Sequence, residues 1–393
     1  MASDEDSLVL CDSLVVEEVK GDSMITGDEN VDSLPAPGEE SLLYNGQKGY
    51  YLTEPENMTR KSFVISGEQN VDSLISPKEE TGGDSFGNSR WMSNLPSHLT
   101  KISLNRLAIP GSHNSGAYSL NPTTPMSPDK SKLIKTFGNC NKQFVINWSL
   151  CQSMTITEQL NHGVRYFDMR PGFIDYEDDF FFVHGVHGVL IRDLLHQMRQ
   201  FLDFNPREVI LVDFNHFHSF DEIRHKRLVE MIHKVFDSLL VPRDIFDDVT
   251  FTLSDLWRMD KRVILSYKHE ETCSKHNAFW FSRECVNSPW FNTNNISTLK
   301  HRLNELHRNP DKKKFNVYQA ILTARKSTIA LRPTSTLRQS LVRQCNNGIN
   351  EWLDGIFAQC KQGFNIVMCD FVCEDGCVEK ILRLNKLIGK QIN

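Results

Sequence analysis

The stretch Leu107-Ala-Ile-Pro-Gly-Ser-His-Asn-Ser-Gly-Ala-Tyr118 decides how the chain is read. Leu104, Leu107 and Ile109 form a short apolar run that predicts a buried strand. Pro110 and Gly111 are expected to end it, and Gly116 permits tight backbone in the turn beyond. His113 then falls just past the C-terminal end of a strand. An imidazole titrates near neutrality and can take or give a proton, so acid–base chemistry is open to this position. A loop histidine satisfied by a neighbour has the same spelling, and the rest of the chain must decide between them.

Outward from this stretch, short and nearly continuous apolar strands alternate with helices. Strands are predicted over 164–170, 180–184, 208–213, 262–267, 315–322 and 364–370, and helices over 156–162, 191–204, 221–239 and 337–357. An eighth strand is placed near 249–253 or 278–281, whereas 269–314 has no regular strand–helix period. Strands of this kind, separated by helices, imply a parallel sheet covered on both faces. No Gly-rich dinucleotide loop follows any of them, so a distorted TIM (β/α)8-type barrel, irregular in its second half, fits better than an open doubly wound sheet.

Charge divides the 393 residues in two. Residues 1–96 carry 19 Asp+Glu against 6 Lys+Arg, and the remainder 31 against 38. Residues 1–90 read as a disordered acidic tail, rich in Ser, Asp, Glu and Gly, and a source of possible protein partners. Residues 91–393 read as the folded barrel, with Trp91, Met92 and Leu95 tying down its entry. A mildly basic body suits an anionic or membrane-surface ligand, and no nucleic-acid partner is expected. The acidic start is unlike a secretory signal, and no apolar run reaches the roughly 18 residues of a membrane span. Ten scattered cysteines then read as reduced thiols, and the expected compartment is cytoplasmic with transient membrane association. No metal site is expected, because His187, His216, His218 and the Cys369, Cys373, Cys377 series lack zinc-ligand spacing.

His113, Asp168, Arg170, His184, Asp213 and Asp370 all fall at or just past predicted strand ends, where parallel barrels place their active sites. Two histidines, three carboxylates and an arginine on one rim make an acid–base set around an anion. The ordered runs Ile109-Pro-Gly-Ser-His-Asn-Ser-Gly116, Gly163-Val-Arg-Tyr-Phe-Asp-Met-Arg170 and Val183-His-Gly185 closely resemble the X domain of phosphatidylinositol-specific phospholipase C. The resemblance runs from about Leu95 to the end. Its later blocks, Glu208-Val-Ile-Leu-Val-Asp-Phe-Asn-His-Phe217 and Asn365-Ile-Val-Met-Cys-Asp-Phe371, resemble the X-domain proteins that carry no other module.

The resemblance implies a distorted TIM barrel and a ribonuclease-like cleavage of a phosphatidylinositol-type lipid. His113 would be the general base on the inositol 2-hydroxyl and His184 the general acid for the leaving diacylglycerol oxygen. Asp370 is the candidate to orient His113, and Asp168 to orient His184. Arg170 stands where calcium-dependent animal enzymes have a metal-holding carboxylate and bacterial ones an arginine, so catalysis without calcium or another cofactor is expected. Asn114, in contrast, follows the calcium-dependent spelling. Asn114, Asp213, Tyr267 and Lys268 are the candidate substrate contacts. Trp280, Trp290 and Phe291 are candidates for dipping into lipid.

Overall fold

The computed structural model describes residues 87–127, 141–246, 248–357 and 364–388. Residues 1–86 of the predicted tail lie outside these. Its last four residues form a 3-10 turn, Gly87–Arg90, fastened to the body. The Ser89 carbonyl accepts from Arg165 Nη2 at 2.7 Å, and Arg90 Nε donates to Asn205 Oδ1 at 3.0 Å. Trp91 follows into the core and donates Nε1–H to the Gly163 carbonyl at 3.0 Å.

Eleven strands are present among the described residues: β1 Ile109–Ser112, β2 Tyr166–Met169, β3 Pro171–Ile174, β4 Asp179–His184, β5 Val186–Leu190, β6 Ile210–Phe214, β7 Val263–Tyr267, β8 Phe279–Phe281, β9 Val286–Asn287, β10 Phe315–Ala320 and β11 Ile366–Cys369. Eight form one parallel sheet in the order β8-β7-β6-β2-β1-β11-β10-β9. The first and last strands of the chain are neighbours, so the sheet curls on itself in chain order as a TIM barrel does. Its distortion is a seam: among the described residues no ladder joins β8 to β9, which are linked by the single helical turn Ser282–Cys285.

Two readings of the sequence are corrected and an alternative is resolved. Residues 180–184 are not a barrel strand; β3, β4 and β5 form a separate antiparallel sheet inserted between β2 and β6. Of the two places expected for the eighth strand, 278–281 holds it, as β8, whereas 249–253 is the entry to the helix Leu253–Arg258, which Thr252 and Asp255 close with a capping box; the two-residue β9 is additional. Pro110 and Gly111 lie within β1 rather than ending it. Pro110 loses no ladder bond to β11, because Ile109 and His113 supply those N–H groups, and its carbonyl accepts from Arg165 N at 3.0 Å.

Period-two alternation divides each strand between two cores. Phe167, Val212, Leu265, Tyr318 and Val367 pack outward against the helices. Ile109, Tyr166, Leu211, Ile264, Trp280, Val317 and Ile366 belong to a second cluster that fills the inside. Each fully buried side chain of this size contributes roughly 1.5–3 kcal/mol. Further along the same inward faces the residues turn polar: Asp168 on β2, Asp213 on β6, Ser266 on β7 and Gln319 on β10. The barrel is thus plugged at one end and polar at the other.

Candidate active site

β1 delivers His113 onto the polar end, where its backbone N–H still bonds the Cys369 carbonyl of β11 at 3.1 Å. The same strand pairing brings Asp370, the residue after β11, alongside it. His113 Nδ1 and Asp370 Oδ1 are 2.6 Å apart, and both side chains are buried. With that nitrogen committed to a carboxylate, Nε2 faces Arg170 Nη2 at 3.3 Å and Asn114 Nδ2 at 3.1 Å. Gln152 donates to the His113 carbonyl at 2.8 Å and fixes the backbone beneath the ring.

Asn114 has a left-handed backbone with φ 45°, a conformation asparagine enters more readily than most side chains. This turn directs its N–H to Asp168 Oδ2 at 2.9 Å. Asp168 is also bridged by Arg170, through Nε to Oδ1 at 3.3 Å and Nη2 to Oδ2 at 3.2 Å, and it accepts from Asn215 Nδ2 at 2.8 Å. Burial alone would raise the Asp168 carboxyl. The charges of Arg170 and His113 and the Asn114 hydrogen bond outweigh it and hold the group well below the usual carboxylate range.

Asp213 lies deeper, accepting from Tyr166 Oη at 2.8 Å, Asn215 Nδ2 at 3.0 Å and Ser266 Oγ at 2.5 Å. Burial, then the Asp213 charge, pushes the Tyr166 phenol far above its ordinary value, so it stays a donor.

His184 arrives from β4, at the start of the tight link to β5. Its Nδ1 lies 2.7 Å from the Ser149 carbonyl, and its ring centroid is 6.5 Å from that of His113. Gly185 makes this approach possible: it has φ 79°, and a Cβ there would sit 2.3 Å from Ser149 Oγ. Asp168 therefore does not orient His184 as expected. It stays on the His113 side because it shares the inward face of the β2 segment with Arg170, while β4 belongs to another sheet.

A cavity of about 300 Å³ opens over the barrel, lined among others by His113, Asp168, Arg170, Asp213, Lys268 and Trp290. His184 is not part of this lining. Tyr267 is also outside it: alternation turns it outward from Ser266, and its hydroxyl bonds His225 Nδ1 at 2.8 Å under the helix Glu222–Phe236. Trp280 is buried in the inner core with Nε1–H on the Val241 carbonyl at 2.9 Å, and Phe291 packs against the outer core. Sequence reading passed over Asn215, Ser266, Tyr166 and Gln152. For Ser266 and Tyr166 the inward phase of their strands was the available signal; for Asn215 and Gln152 there was none.

Comparison with known proteins follows this geometry. Residues 138–269 match the family model "Phosphatidylinositol-specific phospholipase C, X domain", a span that includes Arg170, His184 and Asp213. PI-PLC X domain-containing protein 2 of Mus musculus is 33% identical over 77% of this chain and 88% of its own length. The Homo sapiens protein 2 is 35% identical over 67% and 86%. Among solved structures, a phosphatidylinositol-specific phospholipase C from Listeria monocytogenes superimposes with a TM-score of 0.57 at 19% identity, covering 76% of this chain and 98% of that one. A Staphylococcus aureus counterpart gives 0.52 at 15%, covering 76% and 97%. At these identities the two bacterial structures establish the fold alone, a distorted TIM barrel. The motifs, the barrel and the relatives agree: the chain belongs to the family of phosphatidylinositol-specific phospholipase C X-domain-containing proteins.

Proposed function

We propose that the chain cleaves phosphatidylinositol-type lipids to diacylglycerol and a cyclic inositol phosphate, without calcium. The observation that carries this reading is the alignment Asp370, His113, Arg170. Asp370 holds Nδ1 of the ring and the Arg170 guanidinium lies 3.3 Å from Nε2, which supports a base and a phosphate clamp side by side. His113 Nε2 removes the proton of the inositol 2-hydroxyl, and that oxygen attacks phosphorus. The bond from phosphorus to the diacylglycerol oxygen breaks, and His184 gives that oxygen its proton. The planar guanidinium of Arg170 meets the phosphate oxygens and offsets charge developing on them. A calcium ion on Asp168 would have to displace the two-pronged pair with Arg170, which favours chemistry without it.

No helix among the described residues is long and apolar enough to cross a membrane. A cytoplasmic enzyme meeting lipid transiently would approach by the rim around the cavity. Leu331, 81% exposed beyond β10 and flanked by exposed Arg325, Lys326 and Arg332, suits that contact better than Trp280 or Phe291.

A second reading is a lipid-binding interaction protein with little turnover, its acidic tail recruiting partners. It is favoured by one observation, that the cavity is lined by His113 and Arg170 and not by His184. Purified protein with radiolabelled phosphatidylinositol, with and without a calcium chelator, separates the readings. Release of cyclic inositol phosphate unaffected by chelator is expected. Binding without release supports the second reading, and loss of release on chelation refutes the role given to Arg170.

A further inference from the structure

The proposed reaction leaves unused a thiol at its centre. Cys151, between the helices Lys142–Ser149 and Ile156–His162, is buried, and its Sγ lies 3.4 Å from Asn114 Nδ2 and 3.7 Å from His184 Nδ1. One donor atom each from Cys151, His113 and Asp370 lie within 4.8 Å of one another. Thiolate sulfur, imidazole nitrogen and carboxylate oxygen converge here on the volume of a single ion. Their separation along the chain explains why no zinc spacing is visible in the sequence.

We infer that Cys151, His113 and Asp370 form a binding site for a zinc-type dication whose occupancy shuts the active site. The donor set selects the ion: sulfur and imidazole suit zinc, whereas calcium takes oxygen ligands. Charge agrees. Asp168 and Arg170 offset each other in their ion pair at 3.2 Å, so the Asp370 carboxylate and the Cys151 thiolate together balance two positive charges. On binding, the thiol proton passes to solvent, the ring proton of His113 moves from Nδ1 to Nε2 so that the imidazole stays neutral, and water completes the coordination. The ion then engages the imidazole that would accept the inositol proton. The shut-off rests on the phosphodiesterase reading; the binding does not.

The test uses reduced, metal-free, full-length protein titrated with cobalt(II) and then zinc. One equivalent of cobalt with a thiolate-to-metal charge-transfer band, displaced by zinc, is expected. Cys151→Ser should lose the band, and zinc affinity should fall about a hundredfold or more. Asp370→Asn should keep the band and bind about tenfold or more weakly. Thermal melting of the metal-free variants checks folding, and Cys151→Ala replaces the serine variant if that one fails. Absence of the band in the wild type, or its survival without Cys151, overturns the site. Lipid cleavage indifferent to saturating zinc overturns the shut-off. Protein that forms the band yet never cleaves lipid, zinc or not, upholds the site and refutes the phosphodiesterase reading.

Discussion

His113 and His184 face one another across the polar end of the barrel but are held in different ways. His113 grows out of a parallel strand and is gripped by side chains: a carboxylate on Nδ1, an amide and a guanidinium at Nε2. His184 rides on the inserted antiparallel sheet, and its Nδ1 meets the backbone carbonyl of Ser149. The first environment sets charged groups against the ring. The second presents a backbone oxygen to the ring. The difference teaches that His113 is held by side-chain electrostatics and His184 by backbone shape, so that in the proposed reaction base and acid would be set by different means.

The comparison can be broken most sharply at His113. His113→Ala should lower phosphatidylinositol cleavage by about 10³- to 10⁴-fold, whatever the leaving group; cleavage retained within a few-fold would refute the base assignment. His184→Ala should cost about 10²- to 10³-fold with diacylglycerol as leaving group. With an acidic leaving group such as a nitrophenol, which needs no proton, the loss should shrink to about tenfold or less. An undiminished loss in single-turnover rates would refute the acid role. Gly185→Ala tests the backbone side alone. Crowding Ser149 in a left-handed turn, it should lower the melting temperature by several degrees and cut activity about tenfold. An unchanged melt would mean the turn is not the constraint described.

The smallest effect concerns acid. Asp168 ionises more readily folded than unfolded, so its contribution to stability is present above the ordinary carboxylate range and is lost as pH falls through it toward the lower folded value. Denaturant titrations should therefore show a shallower loss of stability below about pH 4 in Asp168→Asn than in the wild type. Parallel curves would remove Asp168 from the electrostatic side of the comparison.

Much of this was legible in the residues, for identifiable reasons. Alternating strands and helices specify a barrel because each strand is apolar on both faces, and the helices Ile156–His162 and Ile191–Phe204 fall where the pattern places them. The pairing of His113 with Asp370 is also there to be read, since strand-end residues on β1 and β11 must share a rim once the barrel closes. The inserted sheet is not. Phe180-Phe-Phe-Val-His184 has the same apolar spelling as a buried parallel strand, and what distinguishes it is its partners, which a local pattern does not encode. The error about Asp168 descends from that one, because a carboxylate on β2 reaches a histidine only if both share a sheet. The two-residue β9 is too short to carry any period.

The seam between β8 and β9 has a mechanical consequence. A tube slit along its length resists twisting far less than an intact one, and this slit runs beside the cavity wall formed by Ser282, Arg283, Val286 and Ser288. Among the described residues, shear along it breaks no β8-to-β9 ladder bond. The wall formed by these residues is thus the compliant one, able to yield while β1 and β2, which lead to His113 and Arg170, keep their register.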